Sequence, residues 1–250
     1  MLFLPLYDDA PRRQVPVVTI GLIAICTAVF LWQVDLGPRG ERNAALAYGM
    51  IPSVLFGFAE LPRSLQRVPE WTTLVTSMFL HGGWLHLIGN MVYLWLFGKG
   101  VEGAMGGARY LVFYLVCGIA AALTQAFTNP TAEIPMVGAS GAIAGTLGAY
   151  LLLNPRGNVV VFVWIFIFVR LVTVPAVLLL GLWFLLQLMD ALAVETTEPG
   201  VAVWAHVGGF IAGMALVPFF RRRGVGLLQA ARSRPFSLAP PSRTRRGPWG

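Results

Sequence analysis

The chain has 250 residues, of which 57% are hydrophobic and only 12% charged, with a mean hydropathy of +0.72. That balance excludes a soluble domain of this length and points to a polytopic membrane protein. The formal net charge of +7 arises largely from an Arg-, Pro- and Ser-rich tail after Arg221, which suits an anchor beside anionic lipid on the inner membrane face rather than a nucleic-acid surface.

In chain order, residues 1–14 read as a cytoplasmic N-terminus ending in Pro11-Arg12-Arg13. The apolar run Val15 to Val34 has no convincing small-residue cleavage site, so it is expected to be a retained anchor and the first of six spans. Residues 35–80 are too long for a tight connection and mix Pro, aromatic and charged residues. They are expected to form a folded outer loop lying partly in the interface. Further spans follow at Leu85 to Glu102, Leu111 to Phe127, Ser140 to Leu153, Val172 to Val194 and Val201 to Phe220, some of them shorter than the usual ~20 residues. The run Val159 to Val169 is too short to cross, is cut off by Arg170, and reads as interfacial or re-entrant. After Gly224 the aliphatic periodicity ends, and the tail reads as mostly disordered.

Charge sets the orientation. With both termini inside, the inner segments hold Arg12, Arg13, Lys99, Arg109, Arg156, Arg170 and the arginine-rich tail. The outer Arg39, Arg42, Arg63 and Arg67 share one loop with Asp35, Glu41, Glu60 and Glu70, and the last two outer loops carry Glu133, Glu195 and Glu198 without a basic residue. The fold class is therefore an all-α, six-helix membrane domain over residues 15–220, with both ends cytoplasmic and residues 221–250 as a basic tail. Cys26 and Cys117 sit mid-span without ligand-like neighbours and read as packing residues. No internal repeat supports a transporter.

Against this apolar background stand His86 and Asn90, Ser140 within Gly138-Ala139-Ser140-Gly141, and His206. Polar groups in a bilayer cost about 2 to 4 kcal/mol each and mark functional paths. Counting ~1.5 Å per residue from the inner ends, Ser140 and His206 both lie ~22 Å up, His86 ~24 Å and Asn90 ~18 Å. One layer then holds all four, roughly 6 to 12 Å below the outer edge of a ~30 Å core. Ser140 opens its helix, where free backbone N–H groups and the positive dipole end face a developing oxyanion. His206 suits a general base and then a general acid, and the i, i+4 pair His86 and Asn90 suits oxyanion donation. Gly138 and Gly141 let the backbone bend and a substrate approach. Asp190, near the outer end of the fifth span, is the one carboxylate within the last two spans, and a Ser/His dyad without an acid is preferred. Gly141, Gly145 and Gly148 are expected to face Gly209 and Gly213 across a tight helix contact. Singly, the serine or a histidine has a bland explanation as helix glue; their joint occurrence at one depth argues for chemistry.

This pattern resembles the rhomboid family of intramembrane serine proteases. The matching text is His81-Gly-Gly-Trp-Leu-His86-Leu-Ile-Gly-Asn90, the GKGVE stretch from Gly98 to Glu102, GASG around Ser140, and Ala205-His206-Val-Gly-Gly209 with Gly213, and it holds all three histidines of the chain. The resemblance implies a serine endopeptidase with Ser140 as nucleophile and His206 as base. It also implies an oxyanion hole from His86, Asn90 and the Ser140 N–H, and a hydrogen-bonding or water-guiding role for His81. It implies transmembrane protein substrates, cut near the outer face at small residues in easily unwound helices, and a multi-pass location in the plasma (inner) membrane. No cofactor, metal or nucleic acid is expected; substrate identity and oligomeric state stay open. Two positions depart from relatives: Glu70-Trp71-Thr72-Thr73 replaces a Trp-Arg pair, and Ala144 stands where some relatives stack a Tyr on the histidine. A non-cleaving, client-binding membrane protein is the alternative.

Overall fold

The computed structural model describes residues 2–10, 14–165, 168–193, 202–231, 233 and 235–236. Arg12 and Arg13, Glu195 and Glu198, the span ends Val194 and Val201, and tail residues 237–250 lie outside the described residues.

The apolar run after Pro16 forms helix α1, Val17–Asp35. A helix start leaves backbone N–H groups without partners, and here a buried carboxylate supplies them. Glu102 accepts from the N–H of Val18 at 3.0 Å, the N–H of Thr19 at 2.8 Å and the Thr19 hydroxyl at 2.7 Å. Its negative charge also opposes the positive end of the helix dipole. The 35–80 loop is folded, as expected: α2 (Gly37–Tyr48) leads into short helical turns at Pro52–Leu55, Glu70–Thr72, Thr73–Thr76 and Ser77–Phe79.

A continuous helical run then comprises α3 (Trp84–Tyr93), a π-helical segment (Leu94–Gly98) and α4 (Lys99–Met105). It ends at Gly106, whose φ of +89° suits glycine. The remaining helices are α5 (Gly107–Thr128), α6 (Ser140–Leu153), α7 (Ala176–Ala193) and α8 (Val203–Phe220). Four of these, α1, α5, α7 and α8, are long and apolar enough to cross a membrane. Helix α6 is shorter, and its residues from Gly141 to Tyr150 are all buried. It is the central post of the fold.

The glycine stripe brings α6 and α8 into backbone contact. A Cβ placed on Gly213 would stand 1.9 Å from the Gly145 carbonyl oxygen, one on Gly209 2.1 Å from that of Gly141, and one on Gly148 2.2 Å from that of Phe210. Gly141 and Gly145 also receive α5, through Ala121 and Cys117. The expected partnership of these glycines holds, with Phe210 added to it.

The all-α expectation is corrected. Strands β1 (Leu2–Asp8), β2 (Asn158–Ile165) and β3 (Phe168–Pro175) form an antiparallel sheet in the order β1-β2-β3. The segment read as interfacial or re-entrant is thus a strand and the start of its hairpin, and the fifth helix begins at Ala176 rather than Val172. The cause lies in residue type: Val159, Val160, Val161 and Val163 are β-branched and fit a pleated surface better than a helix. Pairing with β1 also gives the N-terminal residues a fixed place, with Pro5 opposite Val161.

Polar contacts bind this sheet to the helices. Asp8 is buried, pairs with Lys99 at 2.9 Å and accepts from the Tyr150 hydroxyl at 2.9 Å. The first part of the tail follows the same surface: the N–H groups of Leu228 and Gln229 donate to Leu152 and Leu153, and the Ser233 hydroxyl donates to Asp9 at 2.7 Å.

The glycine contact can be tested by thermal unfolding in detergent. Gly213→Ala forces α6 and α8 apart and destabilises by about 3 kcal/mol or more. Gly181→Ala on α7, where a Cβ meets nothing within 4 Å, leaves stability unchanged or raises it by about 0.5–1 kcal/mol.

Candidate active site

Ser140 is the first residue of α6, and its hydroxyl lies 2.8 Å from Nε2 of His206 in the first turn of α8. The contact follows from the glycine stripe: with Gly141 against Gly209, the residues at the head of each helix must also meet. His206 is 8% exposed. Its second ring nitrogen, Nδ1, is hydrogen-bonded to Oε1 of Gln187 on α7, and the Trp183 ring lies 5.9 Å away at 39°.

Opposite stands α3. The Nδ1 of His86 accepts from the Gly82 backbone N–H at 3.3 Å, so in the neutral ring the proton resides on Nε2. That nitrogen faces the Gly138 segment: a Cβ on Gly138 would stand 2.8 Å from it and 3.8 Å from Nδ2 of Asn90. Gly138 has φ of +129°, and its N–H donates to the Ser77 carbonyl at 2.9 Å. Both the conformation and the close approach require glycine here. Among the described residues, buried Asn90 Nδ2 has no hydrogen-bond partner. Such a donor is unusual and calls for an explanation.

Ser140, His206, His86, Asn90, Gly138 and Gly141 all line one cavity of ≈ 780 Å³. The segment entering α6 is fixed by paired backbone bonds between Met50 and Met136. The arrangement holds a hydroxyl beside a base, with a helix N-terminus and two side-chain donors facing the same space. That set can support attack on a carbonyl and stabilise the oxygen that becomes negative.

Gly209 and His81 act from outside the cavity. Gly209 lies behind the site, against Gly141. His81 sits beside His86, with ring centroids 5.3 Å apart, and its main chain is clamped by Gln33, which accepts its N–H at 2.9 Å and donates to its carbonyl at 3.3 Å. Asp190 is exposed on α7 and is not the partner of His206, whose Nδ1 is taken by Gln187. Sequence reasoning missed Gln187 and Trp183. The signal was present, since Gln187 is a lone amide in a strongly apolar helix and sits one turn after Trp183. Among the described residues no group of three His, Cys, Asp or Glu side chains converges to hold a metal ion.

A rhomboid-domain family model matches residues 68–223. Among curated proteins, the rhomboid protease GluP of Bacillus subtilis is 32% identical over 164 residues, covering 65% of this chain and 29% of the relative. RHOMBOID-like protein 6, mitochondrial, of Arabidopsis thaliana is 28% identical over 210 residues, covering 84% and 61%. The rhomboid protease AarA of Providencia stuartii is 32% identical over 145 residues, covering 52% and 48%. In each case the chain spans less than two thirds of the relative's own length.

The buried His81 couples stability to pH. Desolvation by burial, with the neighbouring His86 adding to it, pushes its imidazole down from the ordinary 6.5 to about 4. A base whose folded pKa lies below its unfolded value binds protons more readily when unfolded, so stability is fully present above pH 6.5 and falls as pH drops toward 4. His81→Asn flattens that slope, read as the thermal unfolding midpoint between pH 7 and pH 4.

Proposed function

The chain belongs to the rhomboid family, and from that premise we propose that it is an intramembrane serine endopeptidase acting through Ser140 and His206. The observation carrying the proposal is the 2.8 Å contact between the Ser140 hydroxyl and His206 Nε2, sharing one cavity with an Asn90 Nδ2 that has no partner among the described residues.

In the proposed reaction, His206 Nε2 takes the Ser140 proton as the oxygen attacks the scissile carbonyl. The tetrahedral oxyanion accepts from His86 Nε2–H, Asn90 Nδ2–H and the Ser140 backbone N–H. His206 then gives its proton to the departing amine, leaving an acyl ester on Ser140. Water, losing a proton to His206, hydrolyses that ester and restores the hydroxyl.

The substrates are proposed to be transmembrane segments of other proteins, since the cavity opens at the end of a bundle with four bilayer-length apolar helices. We assign six crossings to α1, α3 with α4, α5, α6, α7 and α8, with both termini on the cytoplasmic side where the arginines concentrate. The plasma (inner) membrane is the proposed location, with 15–220 as the catalytic domain and 221–250 as a basic tail. A client-binding role without cleavage has less support, because it gives no reason to keep serine and histidine in contact.

Cleavage of a generic transmembrane reporter in liposomes tests the assignment. Ser140→Ala and His206→Ala each remove cleavage while the unfolding midpoint stays near that of the unaltered chain; a cutting Ser140→Ala variant would sink the proposal. Asn90→Ala lowers turnover about 10²–10³-fold, the usual effect of deleting one oxyanion donor, with KM little changed.

A further inference from the structure

A histidine base poses a tautomer problem. A neutral imidazole carries one N–H, and for Nε2 to accept the Ser140 proton that hydrogen must lie on Nδ1. In an apolar interior an unpaired Nδ1–H is costly, and a ring free to turn spends less time in line with the serine. Many hydrolases meet this need with a carboxylate. Here no carboxylate is hydrogen-bonded to His206 among the described residues, and Asp190 faces outward.

Resting on the Ser140–His206 reading, we propose that Gln187 is a neutral third member of the site: a positioning residue whose Oε1 accepts the Nδ1–H of His206 and fixes the tautomer that leaves Nε2 free for the Ser140 proton. Three observations converge on it. Gln187 Oε1 is hydrogen-bonded to Nδ1 while Nε2 is hydrogen-bonded to Ser140, so both ring nitrogens are assigned at once. Trp183, one turn earlier on α7, lies against the same ring at 5.9 Å and 39° and also packs on Phe210, with centroids 6.0 Å apart. Ala144 on α6 offers no ring to stack, so α7 supplies both the hydrogen-bond partner and the adjacent ring.

The choice of amide over carboxylate has a chemical meaning. Gln187 holds the ring by a dipole and brings no negative charge to stabilise imidazolium. Among the described residues, the titratable groups facing His206 are Ser140 from α6 and His86 from α3, neither of them anionic in the resting site. Replacing Gln187 with Glu retains an acceptor and adds charge, which must raise the pH at which His206 loses its proton.

The test is steady-state cleavage of the transmembrane reporter in liposomes across pH 5–9, with Ser140→Ala, Gln187→Leu, Gln187→Glu and Asp190→Asn beside the unaltered protein. Gln187→Leu is expected to lower kcat about 10- to 100-fold with KM within about twofold, the scale of a disturbed general base. Gln187→Glu is expected to recover most of that kcat at alkaline pH while moving the acid limb of the profile upward, and Asp190→Asn to match the unaltered chain. Wild-type kcat and profile in Gln187→Leu overturn the proposal. Equal loss in both Gln187 variants with a lowered unfolding midpoint also overturns it, by making the residue merely structural, as does a deep loss in Asp190→Asn. Cleavage by Ser140→Ala instead overturns the serine reading on which it rests.

Discussion

The backbone contact between α6 and α8 is the constraint on which the remaining architecture depends. With virtual Cβ positions on Gly213 and Gly209 only 1.9 and 2.1 Å from carbonyl oxygens of the facing helix, no side chain beyond hydrogen fits, and the register of the two helices has little freedom. In lipid, helices gain little by hiding apolar surface from one another, so association relies on close van der Waals contact and hydrogen bonds. Glycine maximises that contact. The same register sets Ser140 against His206, which makes the distance between them a property of two helix backbones rather than of flexible side chains.

The opposite end of the bundle is held by polar rather than steric means. Glu102 caps α1, Lys99 pairs with Asp8, and Tyr150 at the far end of α6 reaches the same aspartate. Buried ion pairs add little net stability because desolvation offsets their attraction, but breaking one partner is costly, so they specify a unique arrangement better than they strengthen it. The GKGVE stretch that contributes to the family resemblance therefore serves placement. It ties α1, the strand β1 and the foot of α6 together, leaving the other end of α6 to carry the serine at the rim of a cavity.

Much of this was legible in the sequence, and the exceptions share a cause. Ser140, His206, His86 and Asn90 were placed at one depth by counting residues along helices, because a regular rise makes height a linear function of position. The glycine stripe was legible for the same reason. The sheet was not: β1 pairs with a segment more than 150 residues away, and hydropathy counts Val159 to Val163 as apolar without registering that such residues favour a pleat. Gln187 was not legible as a third residue because an uncharged amide carries no sequence signal of the kind a carboxylate does. An acceptor is what His206 Nδ1 requires, and an amide oxygen provides one.

The site itself departs from the satisfied state of the surrounding interior. Asn90 Nδ2 is buried without a partner among the described residues, and the His86 Nε2–H faces the loop leading to Ser140 with its other nitrogen already engaged. An unmade hydrogen bond in such surroundings costs about 1–3 kcal/mol, and the close-packed helices behind it hold these donors in place despite that cost. In the proposed reaction these donors, which line the same cavity as Ser140, gain their partner when an oxygen develops there. Under that proposal their stabilisation falls on the transition state rather than the ground state, which gives a tightly interlocked fold a reason to leave one of its polar layers incomplete.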